Sequence, residues 1–599
     1  MFWIPACAGM TSYIMKKMKF FKKILSFEII ILIIITALAI VGLLNNQYFT
    51  IHDDQHIARL YLLDQAIRQG SLYPRWVGSL GFNFGYPLFN FYPPLIYYVA
   101  EFFHLIGFNL LWSLKLMIVT GSFFSSIGIY LLGKRFFDKK TGLLAATLFT
   151  FFFYRGITIY IRGAWAEFFA MSILPFVFLG LDDIYRKKSL KSTLLFSLSL
   201  GFLILAHPLI AFPTLFFIGL FFIYYFFCSK NRWLFFKNFL VETFLALGLS
   251  AFFWLPSIIE KQHTLVDTIL THELANYKIH FIYPYQFWFS PWGYGGSIAG
   301  PNDGFSFQLG KIHIFLTIFS LAVFLFYFFI RKKRESIKIY SFLFLLLLFS
   351  LFMSSIYSQF IWDKIKYLWY LQFPWRFLTF SGIFISLIAG AGIYYFGKII
   401  KQDNVVKKVL FNLIIVSLLL ITVIKYSTYS KPHNEKIYDE KSLTSFEEIS
   451  WRVSKTSFEF SPSGIKTKKT ELGTTTIGLD KKDLIKEIYT IISLDKEAVK
   501  VKTLVNKFSK KEFNIESKNS VEFRLNTFNF PGWQASLDGK EIKIRDDNNY
   551  KLITVSVPEG SHKLIFTFKD TLVRTLGNFI SVFSLIILAS YFYLSKKHS

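Results

Sequence analysis

The chain has 599 residues, of which 53% are hydrophobic and 74 are phenylalanine, and its mean hydropathy is +0.44. This composition excludes an ordinary soluble domain and predicts an all-α polytopic membrane protein, because lipid accommodates apolar surface that a soluble fold does not bury. The formal net charge of +28 does not indicate nucleic-acid binding, since the basic residues lie in short loops between apolar runs, where they orient a membrane protein.

The N-terminal segment, residues 1–23, is predicted to lie in the cytoplasm because its lysines precede the first apolar run. Residues 1–14 look unlike the start of a membrane anchor, so we predict that Met15 is the true start. The run over 24–44 is longer than a typical signal-peptide core, which predicts an uncleaved anchor. Cys7 and Cys228 predict neither a disulfide framework nor a cysteine metal site.

Apolar runs and basic loops alternate over residues 24–426, and one more apolar run lies within 574–599. This alternation predicts about twelve transmembrane helices, the last followed by a cytoplasmic tail. If every basic loop lies in the cytoplasm, the other connections lie on the outer side. These outer connections are residues 45–111, 159–166, 207–208, 257–309, 355–375 and 427–573.

The first outer loop, residues 45–111, is predicted to carry two helices along the membrane surface. One is expected over 54–69, with Asp53 or Asp54 as its N-cap and Gly70 at its end. The other is expected to start near Pro93-Pro94. A crossing there would move the following basic loop to the outer side, so an interfacial helix fits this segment better.

The long outer connection, residues 427–573, loses the long apolar runs and is predicted to be a β-rich domain. Asp538-Gly539 between two alternating segments predicts a hairpin. Pro558-Glu559-Gly560 predicts a second turn. The span within 574–599 is expected to tie this domain to the membrane.

Polar residues from several separate segments are predicted to meet at the outer membrane face. Asp53 and Asp54 follow the first span directly, and a helix N-cap requires only one of them. Each arginine alone is equally consistent with snorkelling to headgroups, and the histidine with a buried turn. Polar residues that share one membrane depth commonly line a pathway or pocket. The remaining members of this set are Arg59, Arg75, Arg162, Glu167, His207 and Arg376.

The chemistry of this set suits a lipid-phosphate substrate. The arginines are candidates to bind a phosphate at headgroup height, and an outer aspartate is suited to act as the general base toward a sugar hydroxyl. A metal is a further possibility that the sequence leaves open. His52, Asp53 and His56 are ligand types for zinc, whereas Asp53, Asp54 and Glu167 suit a divalent cation such as Mg²⁺.

Several short motifs carry a resemblance to a known family. The first span followed by an acidic outer loop, YPPLIYY at 92–98, and the acidic Glu167 resemble the GT-C membrane glycosyltransferases. AHPLIA at 206–211, LQFPWRFL at 371–378 and the tail FPGWQASLDGKEIKI at 530–544 resemble a bacterial branch of this superfamily. Part of that branch is labelled 6-pyruvoyl-tetrahydropterin synthase-related, and the tail is similar to that of YfhO-like proteins.

The resemblance implies a hexosyl- or pentosyltransferase in a bacterial cytoplasmic membrane. Its donor would be a polyprenyl-phosphate sugar and its acceptor an envelope glycan, lipid or protein. Asp53 or Asp54 takes the position of the catalytic base, with Asp53 preferred, and Glu167 that of an accessory acid. A lipid-linked saccharide flippase and a non-catalytic assembly protein are the alternatives. No pterin chemistry is expected, since the 11 histidines are scattered.

Overall fold

The apolar runs of the sequence form a bundle of helices, and a β-rich region packs against the loops at one end of it. A computed structural model describes residues 27–187, 190–270, 275–331, 334–400, 403–469, 475–492 and 499–597. The predicted cytoplasmic segment 1–23, with its predicted start at Met15, lies outside these ranges. The longer helices are α1 (Phe27–Ile40), α2 (His56–Arg68), α3 (Leu95–Leu105), α4 (Leu110–Phe136), α5 (Lys139–Thr150), α6 (Phe153–Tyr160), α7 (Trp165–Lys187), α8 (Leu190–Ala206), α9 (Pro208–Cys228), α10 (Arg232–Leu249), α11 (Ala251–Glu260), α12 (Lys311–Arg331), α13 (Arg334–Ser354), α14 (Leu378–Ile399), α15 (Val405–Tyr426) and α16 (Leu572–Lys597). Shorter helices span Leu88–Phe91, Val266–Leu270, Gln359–Lys364, Glu440–Leu443 and Ser454–Thr456.

Among the described residues, eight to ten helices or helix pairs are long and apolar enough to cross a membrane. Eight helices are long and apolar enough alone, and two bent pairs, α5 with α6 and α10 with α11, qualify when each pair is one span. The pairs bend by 43° and 71°. The other two predicted crossings fall on α1 and α8, which are shorter apolar helices, so the number of twelve stays a prediction.

Helix α14 is the most enclosed of the candidate spans, because 94% of its most apolar stretch is buried inside the protein. It packs against α5, α12 and α13, and is therefore at the centre of the bundle. Glycines allow the closest crossings between neighbouring helices. A Cβ at Gly180 would lie 2.6 Å from the Cα of Phe196, where α7 meets α8.

Both helices predicted for residues 45–111 are present, but the N-cap prediction is wrong. Helix α2 begins at His56 with Gln55 in the cap position and no side-chain cap, because the Asp54 carboxylate binds Arg452 instead. Gly70 follows the end of α2 with a positive φ of 95°, as expected for a glycine past a helix end. Helix α3 starts directly after Pro94, which confirms the second prediction.

The β-rich region follows α15 and contains two facing sheets. A three-stranded sheet has the order β13-β10-β7, and a five-stranded sheet has the order β12-β11-β14-β9-β8. Phe523 of the first sheet packs 5.0 Å from Phe513 and 6.0 Å from Phe566 of the second, ring centre to ring centre. The strands are β7 (Tyr489–Ile492), β8 (Val499–Lys507), β9 (Lys510–Ser517), β10 (Val521–Phe528), β11 (Trp533–Leu537), β12 (Lys540–Ile542), β13 (Leu552–Val557) and β14 (Gly560–Phe568).

Both predicted turns of this region are present. Asp538 and Gly539, with φ of 50° and 82°, join the antiparallel strands β11 and β12, which confirms the hairpin. The turn before Gly560 joins β13 to β14, which belong to different sheets.

Three short strand pairs in the described residues lie outside the two facing sheets. β1 (Gln47–Phe49) pairs antiparallel with β4 (Glu435–Ile437), so the first outer loop is hydrogen-bonded to the β-rich region. Two further pairs are local, β2 (Val77–Ser79) with β3 (Asn83–Tyr86) and β5 (Thr467–Lys469) with β6 (Thr475–Ile477). Trp76 of the first loop also packs 5.5 Å from Trp533 and 5.2 Å from Phe568, ring centre to ring centre.

Candidate functional site

The segment that follows the first helix runs beside the turn between α6 and α7. The amide of His52 donates to the carbonyl of Ile161 at 3.0 Å, and the amide of Asp53 donates to that of Arg162 at 2.8 Å. These two backbone hydrogen bonds place Asp53 next to Arg162, although the two residues are more than 100 positions apart. The structure therefore brings together two of the predicted site residues.

Glu167 lies fully buried in the first turn of α7 and is the centre of a charged cluster. Its carboxylate is 2.9 Å from Nη1 of Arg162 and 3.2 Å from Nε of Arg376. The Tyr154 hydroxyl also donates to it. Two guanidinium cations and a hydroxyl all contact this carboxylate, so its main effect is to hold Arg162 and Arg376 in place.

Both arginines of this cluster are enclosed by aromatic rings. The guanidinium of Arg162 lies 4.3 Å from the centre of the Trp375 ring, and that of Arg376 lies 4.9 Å from Phe373. Arg376 also donates to the carbonyl of Leu371 at 2.6 Å. These contacts fix the orientation of the charged groups and remove them from bulk water.

Arg162 keeps donors that the protein does not use. Its Nη1 serves both Glu167 and Tyr154, and its other guanidinium nitrogens have no acceptor among the described residues. Burial acts to lower the pKa of Arg162, but Glu167, Tyr154 and Asp53 together raise it. The group is therefore a permanent cation with free donors.

His207 is located at the N-cap of α9, where its Nδ1 accepts from the amide of Ile210 at 3.1 Å. Burial lowers its pKa to about 3, and the nearby cation of Arg376 adds to this effect. His207 is therefore neutral at physiological pH. The charges of Arg376 and Glu167 both act on it, so it belongs to the same cluster.

The two adjacent aspartates have different surroundings. Asp54 forms an ion pair with Arg452, which also binds Glu448, and burial raises the pKa of Asp54. Asp53 is half-buried, and its carboxylate has no hydrogen-bond or ion-pair partner in the described part of the chain. Of the two, Asp53 is the carboxylate available to a substrate.

Arg59 in the first turn of α2 contacts the β-rich region. It is buried, stacks 3.9 Å from the centre of the Tyr92 ring and donates from Nη2 to Ser457 at 2.8 Å. Its Nε is buried without an acceptor among the residues that are described. Such an orphaned donor is consistent with a site that a ligand or water completes.

Glu459 is a site residue that the sequence analysis missed. Burial raises the pKa of its carboxyl, Arg59 lowers it, and Asp53 raises it further, so these three charged groups act on one another electrostatically. Glu459 comes from the start of the β-rich region, about 400 positions after Asp53. No local spacing in the sequence indicates this interaction, since it depends on how the β-rich region packs onto the first loop.

The predicted metal ligands do not converge. His56 stacks on Trp165 with ring centres 4.2 Å apart. Its Nδ1 is hydrogen-bonded to the Tyr97 hydroxyl and its Nε2 to the Gly163 carbonyl. The set His52, Asp53 and His56 does not form, because α2 begins at His56 and leaves His52 outside the helix. Among the described residues no group of three or more His, Cys, Asp or Glu is arranged to hold a metal.

Arg75 lies outside this cluster. It donates to Asn90, to the carbonyl of Phe252 and to Asn578, and its Nε is 3.3 Å from Asp570. Asn90 lies in the same loop as Arg75, Phe252 is in α11, Asn578 is in α16 and Asp570 directly precedes α16, so Arg75 connects this loop to those two helices. Arg75 therefore serves a structural contact, and the structure does not bring it to the other predicted site residues.

Comparison with known proteins identifies the family. Residues 89–430 match the family described as the 6-pyruvoyl-tetrahydropterin synthase related domain, a membrane protein. This match covers more than half of the 599 residues. The chain belongs to this family. Family membership confirms the resemblance, and the AHPLIA and LQFPWRFL motifs lie inside the matched range. The cluster residues Arg162, Glu167, His207 and Arg376 of this family member lie inside it too.

In the other similarities the present chain covers between 28% and 54% of the related protein. An uncharacterized protein of Lactococcus lactis subsp. cremoris (strain MG1363) is 28% identical over 185 residues, which is 30% of each chain. The arabinofuranosyltransferase AftD from Mycobacteria has a TM-score of 0.45 at 12% identity, and this family member covers 28% of it. The Archaeoglobus fulgidus oligosaccharyltransferase has a TM-score of 0.38 at 14% identity, with 54% of its chain covered. These two solved structures match 70% and 68% of the present chain.

Proposed function

We propose that the protein is a GT-C-type membrane glycosyltransferase that transfers a hexosyl or pentosyl group from a polyprenyl-phosphate sugar. The acceptor is an envelope glycan, lipid or protein at the outer face of a bacterial cytoplasmic membrane. The observation that carries the proposal is the position of Asp53. Its carboxylate has no partner in the described residues and lies beside a buried arginine cluster.

The geometry supports a division of roles within the site. The acceptor hydroxyl attacks the anomeric carbon of the donor while the bond from that carbon to the phosphate oxygen breaks. Asp53 takes the proton of the hydroxyl as general base. The free donors of Arg162, together with Arg376 and Arg59, stabilise the negative charge on the departing phosphate. A single displacement of this kind inverts the anomeric centre.

Glu167 is a positioning residue in this proposal. It contacts both arginines and offsets one of their two charges, which holds their guanidinium groups in a fixed orientation for the substrate. Burying the arginines without a counter-ion would cost several kcal/mol. Glu167 is therefore needed at this turn as a counter-ion, although its carboxylate is fully engaged by Arg162, Arg376 and Tyr154.

A reconstituted assay tests the proposal. The full chain is placed in liposomes with a polyprenyl-phosphate sugar and a crude envelope fraction, and mass spectrometry follows free polyprenyl phosphate and labelled product. A glycosyltransferase releases the lipid phosphate in step with product, and Asp53→Asn lowers this release by about 10²–10⁴-fold. Movement of intact donor between leaflets without release would instead identify a flippase, and neither event would favour an assembly protein.

A further inference from the structure

A polar cavity of about 710 Å³ lies at the end of the bundle opposite to Asp53 and Glu167. Helix α7 connects the two places, because Glu167 is in its first turn and Asp182 near its last. Fifteen residues of helix separate them, a rise of about 22 Å. The cavity is therefore distinct from the site proposed for glycosyl transfer. Its walls come from the ends of α4, α7, α9, α12, α13 and α14.

The acidic groups of this cavity are already neutralised. Asp182 is fully buried and accepts from Arg135 at 2.9 Å, from Arg186 at 2.9 Å and from the Tyr225 hydroxyl at 3.0 Å. Asp183 accepts from Arg135 at 2.5 Å. Two arginines thus balance two aspartates, and this network fixes the floor of the cavity with no charge left over.

Two lysines add positive charge to this balanced floor. Lys338 and Lys398 line the cavity from α13 and α14, are exposed, and have no carboxylate partner among the described residues. Lys398 is supported by the Tyr394 ring, whose centre is 4.3 Å from its Nζ. Among the described residues, these two positive charges at the rim of the cavity therefore have no compensating carboxylate. This excess predicts an anionic ligand.

The surroundings of the lysines indicate the kind of anion. Tyr224 and Tyr394 supply ring surface and hydroxyl groups to the wall, and Phe227 at the rim is 67% exposed. In a membrane-spanning bundle such an exposed phenylalanine at a helix end faces lipid. A basic cavity that opens between helix ends toward lipid is suited to a phosphate headgroup whose chains stay in the membrane.

We propose that this cavity binds a phosphate group, held by Lys338 and Lys398, at the face opposite to the glycosyl-transfer site. A phospholipid headgroup of that leaflet is the favoured source, and a free phosphate is the other source of the same chemistry. The binding does not depend on the proposed transferase activity. It assigns to the protein an anion site that makes no contact with the Glu167 cluster.

Binding is tested on the full chain purified in dodecyl maltoside. Dioleoyl phosphatidylglycerol, dioleoylglycerol as its phosphate-free counterpart, and inorganic phosphate are titrated separately, and native mass spectrometry and thermal melting are read. The double variant Lys338→Gln/Lys398→Gln is compared with Lys407→Gln/Lys408→Gln, which removes the same charge from the start of α15, outside the cavity. Lys338→Arg/Lys398→Arg keeps the charge and should keep the binding.

We expect phosphatidylglycerol to bind and to raise the melting temperature, with an affinity about tenfold lower in Lys338→Gln/Lys398→Gln and unchanged in the control pair. Stabilisation by inorganic phosphate that the same double variant loses supports the site with a soluble source. The proposal is overturned if dioleoylglycerol binds as well as phosphatidylglycerol, if no probe binds, or if both glutamine pairs behave alike. If Lys338→Gln/Lys398→Gln does not fold, the Lys338→Arg/Lys398→Arg variant decides the matter. Loss of phosphatidylglycerol binding in this folded variant overturns the proposal.

Discussion

At the scale of single residues, the structure separates side chains that the sequence could only group together. The sequence placed Asp53, Asp54 and Glu167 at one membrane face, because each lies at the outer end of an apolar run. It did not distinguish their roles, since ion-pair partners come from distant segments. Arg452 binds Asp54, two arginines bind Glu167, and Asp53 remains without a partner in the described chain.

The first prediction concerns Glu167 as a buried counter-ion. Glu167→Gln leaves Arg162 and Arg376 buried beside a neutral group, and we expect it to lower the free energy of unfolding by about 3–5 kcal/mol. The measurement is thermal or SDS-induced unfolding of the purified protein. Asp54→Asn is the matched control, because its ion pair with Arg452 is partly exposed and contributes about 0–1 kcal/mol. Equal stabilities of the two variants would contradict the assigned role.

The second prediction concerns pH. Burial lowers the pKa of His56 to about 3 from an ordinary value of 6.5. The unfolded chain therefore binds a proton that the folded chain excludes, so this contribution to stability is present above pH 6.5 and is lost as the pH falls toward 3. Between pH 7 and pH 5 we expect a loss of about 2 kcal/mol.

Melting temperatures of wild type and His56→Gln across pH 5–7 check this expectation. The variant should lose less stability on acidification than wild type does. His562→Gln is the control, because a hydrogen bond to Asp538 raises the pKa of His562 and its removal cannot lessen the acid loss. Parallel pH curves for wild type and His56→Gln would argue against a neutral, buried His56.

At the scale of elements, local patterns predicted most of what formed. Apolar runs became helices, Pro94 preceded α3, and Asp538-Gly539 made the hairpin between β11 and β12. Elements that depend on long-range pairing were not predictable. The β1–β4 pair and the electrostatic interaction of Glu459 with Asp53 join segments about 400 residues apart, and neither hydropathy nor spacing carries that information.

The third prediction concerns the crossing of α4 and α5. A Cβ at Gly142 would lie 2.4 Å from the carbonyl oxygen of Tyr130. Gly142→Ala should therefore force the two helices apart and destabilise the fold by about 1–3 kcal/mol. Gly219→Ala in α9 is the matched control, since no described atom lies within 4 Å of its Cβ. Unfolding curves that coincide for the two variants would show that the close crossing is not required.

At the scale of the whole molecule, the protein has two chemically different ends. One end holds Asp53, the arginine cluster and the β-rich region, and the other holds the basic cavity around Lys338 and Lys398. The alternation of basic loops predicted this polarity. The sequence did not predict how the β-rich region is attached, because its contacts with the first loop and the bundle join residues that are far apart in the chain.

The fourth prediction tests that attachment. Arg574 at the start of α16 is fully buried, lies 2.9 Å from the carboxylate of Glu260 and donates to the carbonyl of Pro531 at 2.8 Å. Arg574→Gln leaves Glu260 without its buried cation, so we expect the β-rich region to loosen and to be cleaved faster in limited proteolysis. Arg545→Gln, which breaks the exposed pair with Glu522, should leave the cleavage rate unchanged. Equal cleavage rates would contradict the account.

The central claim of this account is that the unpaired carboxylate of Asp53 performs the chemistry and that Asp54 does not. The most direct measurement is the envelope glycan profile of cells in which Asp53→Asn or Asp54→Asn replaces the native protein at equal protein level. We expect Asp53→Asn to lose the protein-dependent glycan by at least about 10²-fold, whereas Asp54→Asn retains most of it. An unchanged profile in Asp53→Asn cells, or an equal loss in both, would contradict the claim.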